Sequence, residues 1–307
     1  ASDVYKRQLV LSADKIYQAD YRNIIRQHEN SGADATMAVI HLPLDGWYSG
    51  VSVNTDGNNR ITGFAETHGM GSGFVSTGCY VFKKSVLLQS LSRDAAIPYS
   101  FHSLRGDVIP ALAEHGDVRV YPFEGYWQDI NRIHHYYNAN IDFLNGRVIP
   151  AHDRAYPVRN PFSRQHLLSL TNSSHVKNSI IGKGCVIEGY VENSILSPGV
   201  KVDRQAEVWD SIVMSGVQIG SHSIIDHCII DEDCEIGSQC YLGLGASFDP
   251  DRTSVTVLGK HVSVPANTSI GRNCRIFPYA GPGDFPVRVV PAGVTVNPHV
   301  NKLNAVL

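Results

Sequence analysis

The stretch LSPGVKVDRQAEVWDSIVMSGVQIGSHSIIDHCIIDEDCEIGSQCYL, residues 196–242, decides the fold of the C-terminal half of the chain. Aliphatic residues recur at about every sixth position, and each recurs again 17 residues further on, as in Leu196, Val213 and Ile230. A period of six is typical of a triangular parallel β-helix, in which each strand forms one side of a coil. An α-helix would need a period of 3.6, and an antiparallel sandwich would need alternation broken by hairpin turns. We therefore predict a β-helix over residues 176–307.

Three cysteines, Cys228, Cys234 and Cys240, keep the same spacing of six. Paired zinc ligands usually lie much closer together in sequence, so we predict small packed residues on successive sides of a coil rather than a metal cluster. The chain has six cysteines in 307 residues and no C-x-x-C pair. This usage excludes a disulfide scaffold and favours a reducing, cytoplasmic setting.

Strand-like and helix-like segments alternate in the first half of the chain. The alternation predicts a layered α/β domain with a largely parallel sheet, whose ligands lie beyond the carboxyl ends of the strands. Asp14 follows an apolar run that we predict as a central strand. The sequence DGNN at residues 56–59 predicts a hairpin turn. The predicted strands are residues 9–14, 35–42, 51–53, 61–64, 75–82 and 118–123, and the predicted helices are residues 21–30, 85–91, 107–115 and 132–144.

The composition excludes several classes of protein. Hydrophobic residues make up 43% of the chain and charged residues 18%, which predicts a folded core rather than a disordered chain. The formal net charge of −3 does not require a basic face, so the charge does not imply nucleic-acid binding, and we expect no nucleic-acid partner. Apolar runs are of strand length, so we expect no membrane span, and no signal peptide is visible.

Three collinear segments carry a resemblance to a known family. Residues 11–17 (LSADKIY) with Asp20 and Tyr21, residues 76–82 (STGCYVF), and residues 126–130 (YWQDI) with the block NANIDFL at 138–144 stand in this order. They resemble the L-x-G-D-x-I-Y…D-Y, S-x-G-x-Y-x-F and Y-W-x-D-V…A-N-x-D-L segments of glucose-1-phosphate adenylyltransferases (ADP-glucose pyrophosphorylases). The resemblance implies a Rossmann-like nucleotide-diphospho-sugar transferase domain followed by a left-handed parallel β-helix.

The resemblance also implies the domain organisation. We expect the C-terminal part of the α/β nucleotidyltransferase domain over residues 9–146, a linker over 147–175 and the β-helix over 176–307. We expect residues 1–8 to be a non-native leader and the chain to be truncated at its N-terminus. The family's glycine-rich phosphate loop, G-x-G-x-R-L, would precede residue 9. Residues 69–73 (GMGSG) are predicted to be a flexible loop and not its equivalent.

The implied reaction joins ATP and glucose 1-phosphate into ADP-glucose and pyrophosphate. In-line attack on phosphorus requires positioning and charge neutralisation rather than a protein nucleophile. The resemblance assigns Asp14 and Asp129 as the catalytic residues that hold Mg²⁺. From the residues alone, a turn or helix-cap carboxylate is the less favoured alternative for Asp14, whereas core packing would be the better interpretation of Trp127. The residues expected at the sugar substrate are Glu66, Ser76, Tyr80 and Trp127.

Several positions depart from the family pattern. Thr67 stands where the family has a lysine that meets the sugar phosphate, and a hydroxyl cannot supply that charge. In the segment aligned with H-D-F-G-K-D, Ser103 and Leu104 replace a carboxylate and an aromatic residue, while Arg105 offers a cation at a different reach.

Three functions remain open at this point. The first is an adenylyltransferase of glycogen- or starch-type glucan synthesis, and the second is a non-catalytic regulatory subunit of the same enzyme. The third is a hexapeptide-repeat acyltransferase, with His222, His227 or His261 as its catalytic residue. The resemblance further implies a homo- or hetero-tetramer and an anionic allosteric effector. The arginines of residues 147–164 could bind that effector or could simply be solvated linker charges.

Overall fold

The computed structural model describes residues 6–42, 47–70, 73–148, 169–170, 174–245 and 254–298. For residues 42, 47–51, 66–70 and 169–170 it describes the backbone alone. The chain divides into two compact units, residues 1–129 and residues 130–307. Among the described residues, no helix combines the length and the apolar character needed to cross a membrane.

The first unit is an α/β layer structure. A π-helical turn, Leu104–Val108, precedes its third helix. Its helices are α1 (Tyr21–Ser31), α2 (Lys84–Ala95) and α3 (Ile109–His115). Its strands are β1 (Arg7–Leu11), β2 (Lys15–Tyr17), β3 (Ala35–Leu42), β4 (Trp47–Thr55), β5 (Ile61–Met70), β6 (Gly73–Lys83), β7 (Val118–Pro122) and β8 (Trp127–Asp129).

The main sheet has the strand order β5-β4-β6-β3-β7, and β1 also pairs with β6. Within the described part of the chain, β3 and β7 are the one parallel pair of this sheet, and all its other pairs are antiparallel. The expectation of a largely parallel sheet is therefore wrong here. The predicted hairpin at residues 56–59 is confirmed, and such a short connection permits only antiparallel pairing of β4 and β5. The expectation of a central strand at residues 9–14 is also wrong, since β1 pairs with β6 alone among the described strands.

Two hydrophobic clusters hold this sheet between its helices. Ile24 of α1 packs with Ala38, Cys79 and Val81 on one face. The opposite face buries a second cluster that includes Ile109 of α3. Helix α1 starts at the predicted place because the side chain of Asp20 accepts a hydrogen bond from the Arg22 backbone N–H. The sheet is thus covered on both faces, as the alternation of strands and helices predicts.

Among its described residues, the second unit contains one α-helix, α4 (Ile133–Leu144), a short 3₁₀ helix, Pro282–Asp284, and a three-sided stack of short parallel strands. The first side consists of β10 (His175–Lys177), β13 (Tyr190–Glu192), β16 (Glu207–Trp209), β19 (Ile224–Asp226), β22 (Tyr241–Leu244), β25 (Ser269–Gly271) and β27 (Val289–Val290). The second consists of β11 (Ile180–Ile181), β14 (Ile195–Leu196), β17 (Ile212–Val213), β20 (Cys228–Ile230), β23 (Thr256–Leu258), β26 (Arg275–Ile276) and β28 (Thr295–Val296). The third consists of β9 (Ser169–Leu170), β12 (Val186–Ile187), β15 (Lys201–Val202), β18 (Gln218–Ile219), β21 (Glu235–Ile236) and β24 (Ser263–Val264). The predicted parallel β-helix is confirmed.

Inward aliphatic residues stack along the axis of this β-helix. Val191, Val208, Ile225 and Leu242 lie in register on successive coils of the first side, and each is fully buried. The cysteines at the spacing of six are buried free thiols in the same core, as predicted for small packed residues. Burial raises the pKa of the Cys234 thiol to about 11, which keeps it neutral and unreactive at physiological pH.

Helix α4 packs against the second side of the β-helix. Tyr137 forms a buried cluster with Ile212, Ile229 and Val255, and its hydroxyl donates a hydrogen bond of 2.7 Å to the Asp210 carbonyl oxygen. We expect residues 133–144 in the α/β domain, because its predicted range is residues 9–146. In the structure these residues belong to the compact unit that contains the β-helix.

Candidate functional site

The antiparallel pairing of β2 with β8 builds the candidate site in the first unit. Its register sets Lys15 opposite Asp129, Ile16 opposite Gln128, and Tyr17 opposite Trp127. Asp14 lies directly before β2, so this register brings it close to Asp129 despite their distance along the chain. The two carboxylates predicted to act together are therefore brought to one place.

Lys15 lies between these two carboxylates. Its Nζ is 3.1 Å from Asp14 Oδ2 and 2.6 Å from Asp129 Oδ2. The Lys15 side chain is only 8% exposed, against 13% for Asp129 and 51% for Asp14. Burial raises the pKa of the Asp14 carboxyl, but the hydrogen bond and charge of Lys15 outweigh it, and the pKa lies below its ordinary value. Asp14 is therefore a stable carboxylate at neutral pH.

Sequence reasoning did not single out Lys15. The available signal was a lysine directly after a predicted metal-binding aspartate. This signal identifies a site residue only when the register of β2 with β8 is known, because that pairing sets Lys15 opposite the second carboxylate, Asp129.

Oxygen donors of two carboxylates are ligands that Mg²⁺ prefers, so the donor chemistry at Asp14 and Asp129 suits the metal. The space between them, however, is taken by a buried ammonium group that contacts both. Mg²⁺ requires near-octahedral oxygen ligands at about 2.0–2.1 Å, which cannot be formed around a position that Nζ occupies. The arrangement of these residues does not fit a Mg²⁺ ion held between the two carboxylates.

Trp127 and Tyr17 anchor the strand pair to β6. The Trp127 indole N–H donates to the Thr77 carbonyl oxygen at 3.0 Å, and the Tyr17 hydroxyl donates to the same oxygen at 2.8 Å. Burial, with the neighbouring Cys79 adding to it, raises the pKa of Tyr17. The indole plane of Trp127, a predicted sugar-site residue, is thereby fixed at the edge of the site.

Ser76 and Tyr80, also predicted at the sugar substrate, are a buried pair. Their hydroxyl oxygens are 2.9 Å apart, and the side chains are only 3% and 5% exposed. The Ser76 hydroxyl also accepts a hydrogen bond from the Gly78 backbone N–H. In the structure these hydroxyls bond within β6, beside the Thr77 carbonyl that anchors Trp127.

Glu66 and Thr67 lie in β5, opposite Val51 and Gly50 of β4. Their side chains lie outside the part of the molecule that the structure describes. Within the predicted loop at residues 69–73, Gly69 and Met70 continue β5, Gly73 begins β6, and residues 71–72 are outside the described part.

The segment that departs from H-D-F-G-K-D forms the start of a helical stretch. The Ser103 backbone N–H donates to Asp107 Oδ2 at 2.8 Å, and the Gly106 N–H donates to the Ser103 hydroxyl at 3.1 Å. This reciprocal arrangement is a helix cap, and Leu104 packs against the core beside it. Ser103 and Leu104 therefore have structural roles here.

The histidines considered for an acyltransferase lie on the β-helix. His227 Nδ1 is 2.6 Å from Asp226 Oδ1, and the other oxygen of Asp226 accepts a hydrogen bond of 2.6 Å from Arg272. With Asp210, these side chains could approach a common ion, but the Arg272 guanidinium already neutralises Asp226. His261 stacks on Tyr279 at a ring separation of 5.1 Å.

Comparisons with known proteins find two different families in the two halves of the chain. The family model described as "Nucleotidyl transferase" matches residues 1–146, and the model "GlmU-like, C-terminal hexapeptide" matches residues 166–259. The chain is therefore a nucleotidyltransferase with a hexapeptide-repeat β-helix, and the predicted fold class is confirmed.

The particular family follows from relatives named glucose-1-phosphate adenylyltransferase. The relative from Thermomicrobium roseum is 36% identical over 96% of this chain and 71% of its own length. The relative from Acetivibrio thermocellus is 34% identical over 92% of this chain and 68% of its own length, and the one from Desulforamulus reducens is 31% identical over 91% and 71%. This chain belongs to the glucose-1-phosphate adenylyltransferase family, as its motifs predict.

Proposed function

We propose that this chain serves to convert ATP and glucose 1-phosphate into ADP-glucose and pyrophosphate for glycogen- or starch-type glucan synthesis. The observation that carries the proposal is the similarity to glucose-1-phosphate adenylyltransferases across both units of the chain. A phosphate oxygen of the sugar phosphate attacks the α-phosphorus of ATP, the new P–O bond forms, and pyrophosphate leaves with the electrons of the broken bond.

The described residues suit parts of this reaction. Lys15 supplies a fixed positive charge at the edge of the site, held in place by Asp14 and Asp129. We propose that the fixed indole of Trp127 packs against the sugar and that Glu66 accepts hydrogen bonds from sugar hydroxyls. The buried pair Ser76 and Tyr80 would then support this wall from within β6. No step is assigned to a metal between Asp14 and Asp129, because Lys15 lies there.

The test is an assay of ADP-glucose and pyrophosphate formation from ATP, Mg²⁺ and glucose 1-phosphate. We expect Asp129→Asn to lower the rate about a hundredfold or more, because the amide replaces the charged partner that lies 2.6 Å from Lys15 Nζ and the ammonium loses its fixed position. Asp117→Asn is the matched control, since Asp117 pairs with Arg119 on the same unit, away from β2 and β8. Normal turnover in Asp129→Asn would contradict the assignment.

A non-catalytic regulatory subunit is the second candidate, and two observations favour it. Lys15 lies where the resemblance expects a metal, and Thr67, Ser103 and Leu104 depart from the sugar-binding pattern. On this hypothesis the protein alone makes no ADP-glucose but changes the activity of a catalytic partner subunit. Robust synthesis by the purified protein without a partner would reject it. The tetramer and the anionic effector remain predictions, and most of the predicted linker at residues 147–175, with its arginine-containing segment 147–164, lies outside the described residues.

A further inference from the structure

The lysine between the two carboxylates is fixed by the fold. Lys15 lies in β2, and the strand register places it directly opposite Asp129. Its side chain is 8% exposed, so it is not a solvated lysine that happens to approach an acid. A lysine normally keeps its ammonium in water. A buried lysine between two aspartates is therefore a specific feature that calls for a chemical role.

The charges of Asp14, Lys15 and Asp129 indicate what the lysine does. Two carboxylates held close together repel each other, and the repulsion is larger at a partly buried site than in water. An ammonium group offers three donors and one positive charge, and here it contacts one oxygen of each carboxylate. A divalent cation would neutralise the same pair, but it needs the position that Nζ occupies. Ammonium and metal are therefore alternatives at this place.

We propose that Lys15 is the built-in counter-ion of Asp14 and Asp129 and keeps divalent cations off this carboxylate pair. Removing the lysine should therefore create a Mg²⁺ or Mn²⁺ site from the residues that remain. The inference rests on the proposed function in one respect only: the family resemblance is what makes these two aspartates the expected metal pair. The inference extends the proposed function because the positive charge beside Asp14 and Asp129 comes from the Lys15 side chain rather than from a metal ion.

The experiment measures Mn²⁺ binding by electron paramagnetic resonance, without substrates, on the whole protein. We expect weak binding to the wild type and about tenfold or more tighter binding to Lys15→Ala, because the ammonium no longer competes with the cation for the two carboxylates. The double variant K15A/D129N should lose this gain. Lys83→Ala is the matched control, since Lys83 pairs with Asp34 at 2.9 Å on the same unit, and it should leave Mn²⁺ affinity unchanged.

Should Lys15→Ala fail to fold, Lys15→Gln keeps most of the length of the side chain without its charge, and the same gain in affinity is expected. Mg²⁺ should also raise the melting temperature of either variant more than that of the wild type, since a ligand of the folded state stabilises it. Two results overturn the proposal: wild-type affinity as tight as that of Lys15→Ala and dependent on Asp129, or no gain in either lysine variant. Both are read without ADP-glucose synthesis, so they are distinguishable from a failure of the proposed function.

Discussion

At the scale of single residues, Gly78 shows how tightly the candidate site is built. It lies in β6 with φ of +81°, a left-handed conformation that favours glycine. A Cβ placed there would lie 2.8 Å from Ser12 Cβ and 3.2 Å from the Tyr17 hydroxyl oxygen. The residue thus lets the loop that carries Asp14 approach the strand that carries Ser76 and Tyr80.

We expect Gly78→Ala to destabilise the first unit by about 1–3 kcal/mol, the usual cost of holding a residue with a side chain in a strained conformation. The added contact with Ser12 also disturbs the loop before Asp14. The measurement is the urea midpoint of the transition followed by Trp127 fluorescence, with Trp47 and Trp209 replaced by Phe in every protein compared. Gly57→Ala is the matched control, because a Cβ there meets nothing within 4 Å. Equal midpoints for the two variants would contradict the close approach.

At the scale of elements, the periodicities of the sequence predict most of what forms. The six-residue spacing predicts the β-helix because each aliphatic residue of the repeat takes the inward position on one side of a coil. Strand direction in the first unit is predicted wrongly apart from the hairpin of β4 and β5, because alternation of strands and helices does not state which strands become neighbours. The role of Lys15 is missed for the same reason, since it depends on the pairing of β2 with β8. The motif resemblance does locate Asp14 and Asp129, which that pairing brings together.

Helix α4 carries a pH-dependent contribution to stability. Burial, with the nearby Asp210 and Asp226, raises the pKa of Tyr137 above its ordinary value. The unfolded chain releases this proton near pH 10, while the folded chain holds it to higher pH. The stabilisation is complete below about pH 10 and is lost as the pH rises towards the folded-state pKa, at up to about 1.4 kcal/mol per pH unit.

Tyr137→Phe removes both the titrating group and its hydrogen bond to the Asp210 carbonyl. At neutral pH we expect it to lower the free energy of unfolding by about 1 kcal/mol. Above pH 10 the difference from the wild type should shrink, because the wild type alone loses the contribution of this hydroxyl. The difference in the free energy of unfolding is measured by urea unfolding from pH 7 to 11, followed by Trp209 fluorescence in proteins whose Trp47 and Trp127 are replaced by Phe. Parallel stability curves for the two proteins would show that Tyr137 titrates equally in both states.

At the scale of the whole molecule, sequence similarity and packing place the boundary between the two domains at different residues. The family model for the nucleotidyltransferase extends to residue 146, and the sequence places the linker at residue 147. The compact units, in contrast, divide between Asp129 and Ile130. The difference is helix α4, whose apolar residues are buried against β17, β20 and β23. A helix can thus belong to one domain by sequence similarity and be stabilised by another through packing.

Two fragments of the chain test whether helix α4 stabilises the β-helix, one beginning at residue 130 and the other at residue 147. A fragment of residues 130–307 retains α4 over Ile212, Ile229 and Val255, which are 3%, 5% and 4% exposed in the whole chain. A fragment of residues 147–307 uncovers these side chains, and each apolar side chain returned to water costs about 1.5–3 kcal/mol. We therefore expect the longer fragment to be monodisperse with a cooperative thermal transition, and the shorter one to bind a hydrophobic dye, melt lower and aggregate. Tyr137→Ala in the longer fragment should shift it towards the shorter one. Identical dye binding and melting temperature in both fragments would instead place α4 with the α/β unit, because a helix that leaves no exposed apolar surface when removed does not stabilise the β-helix.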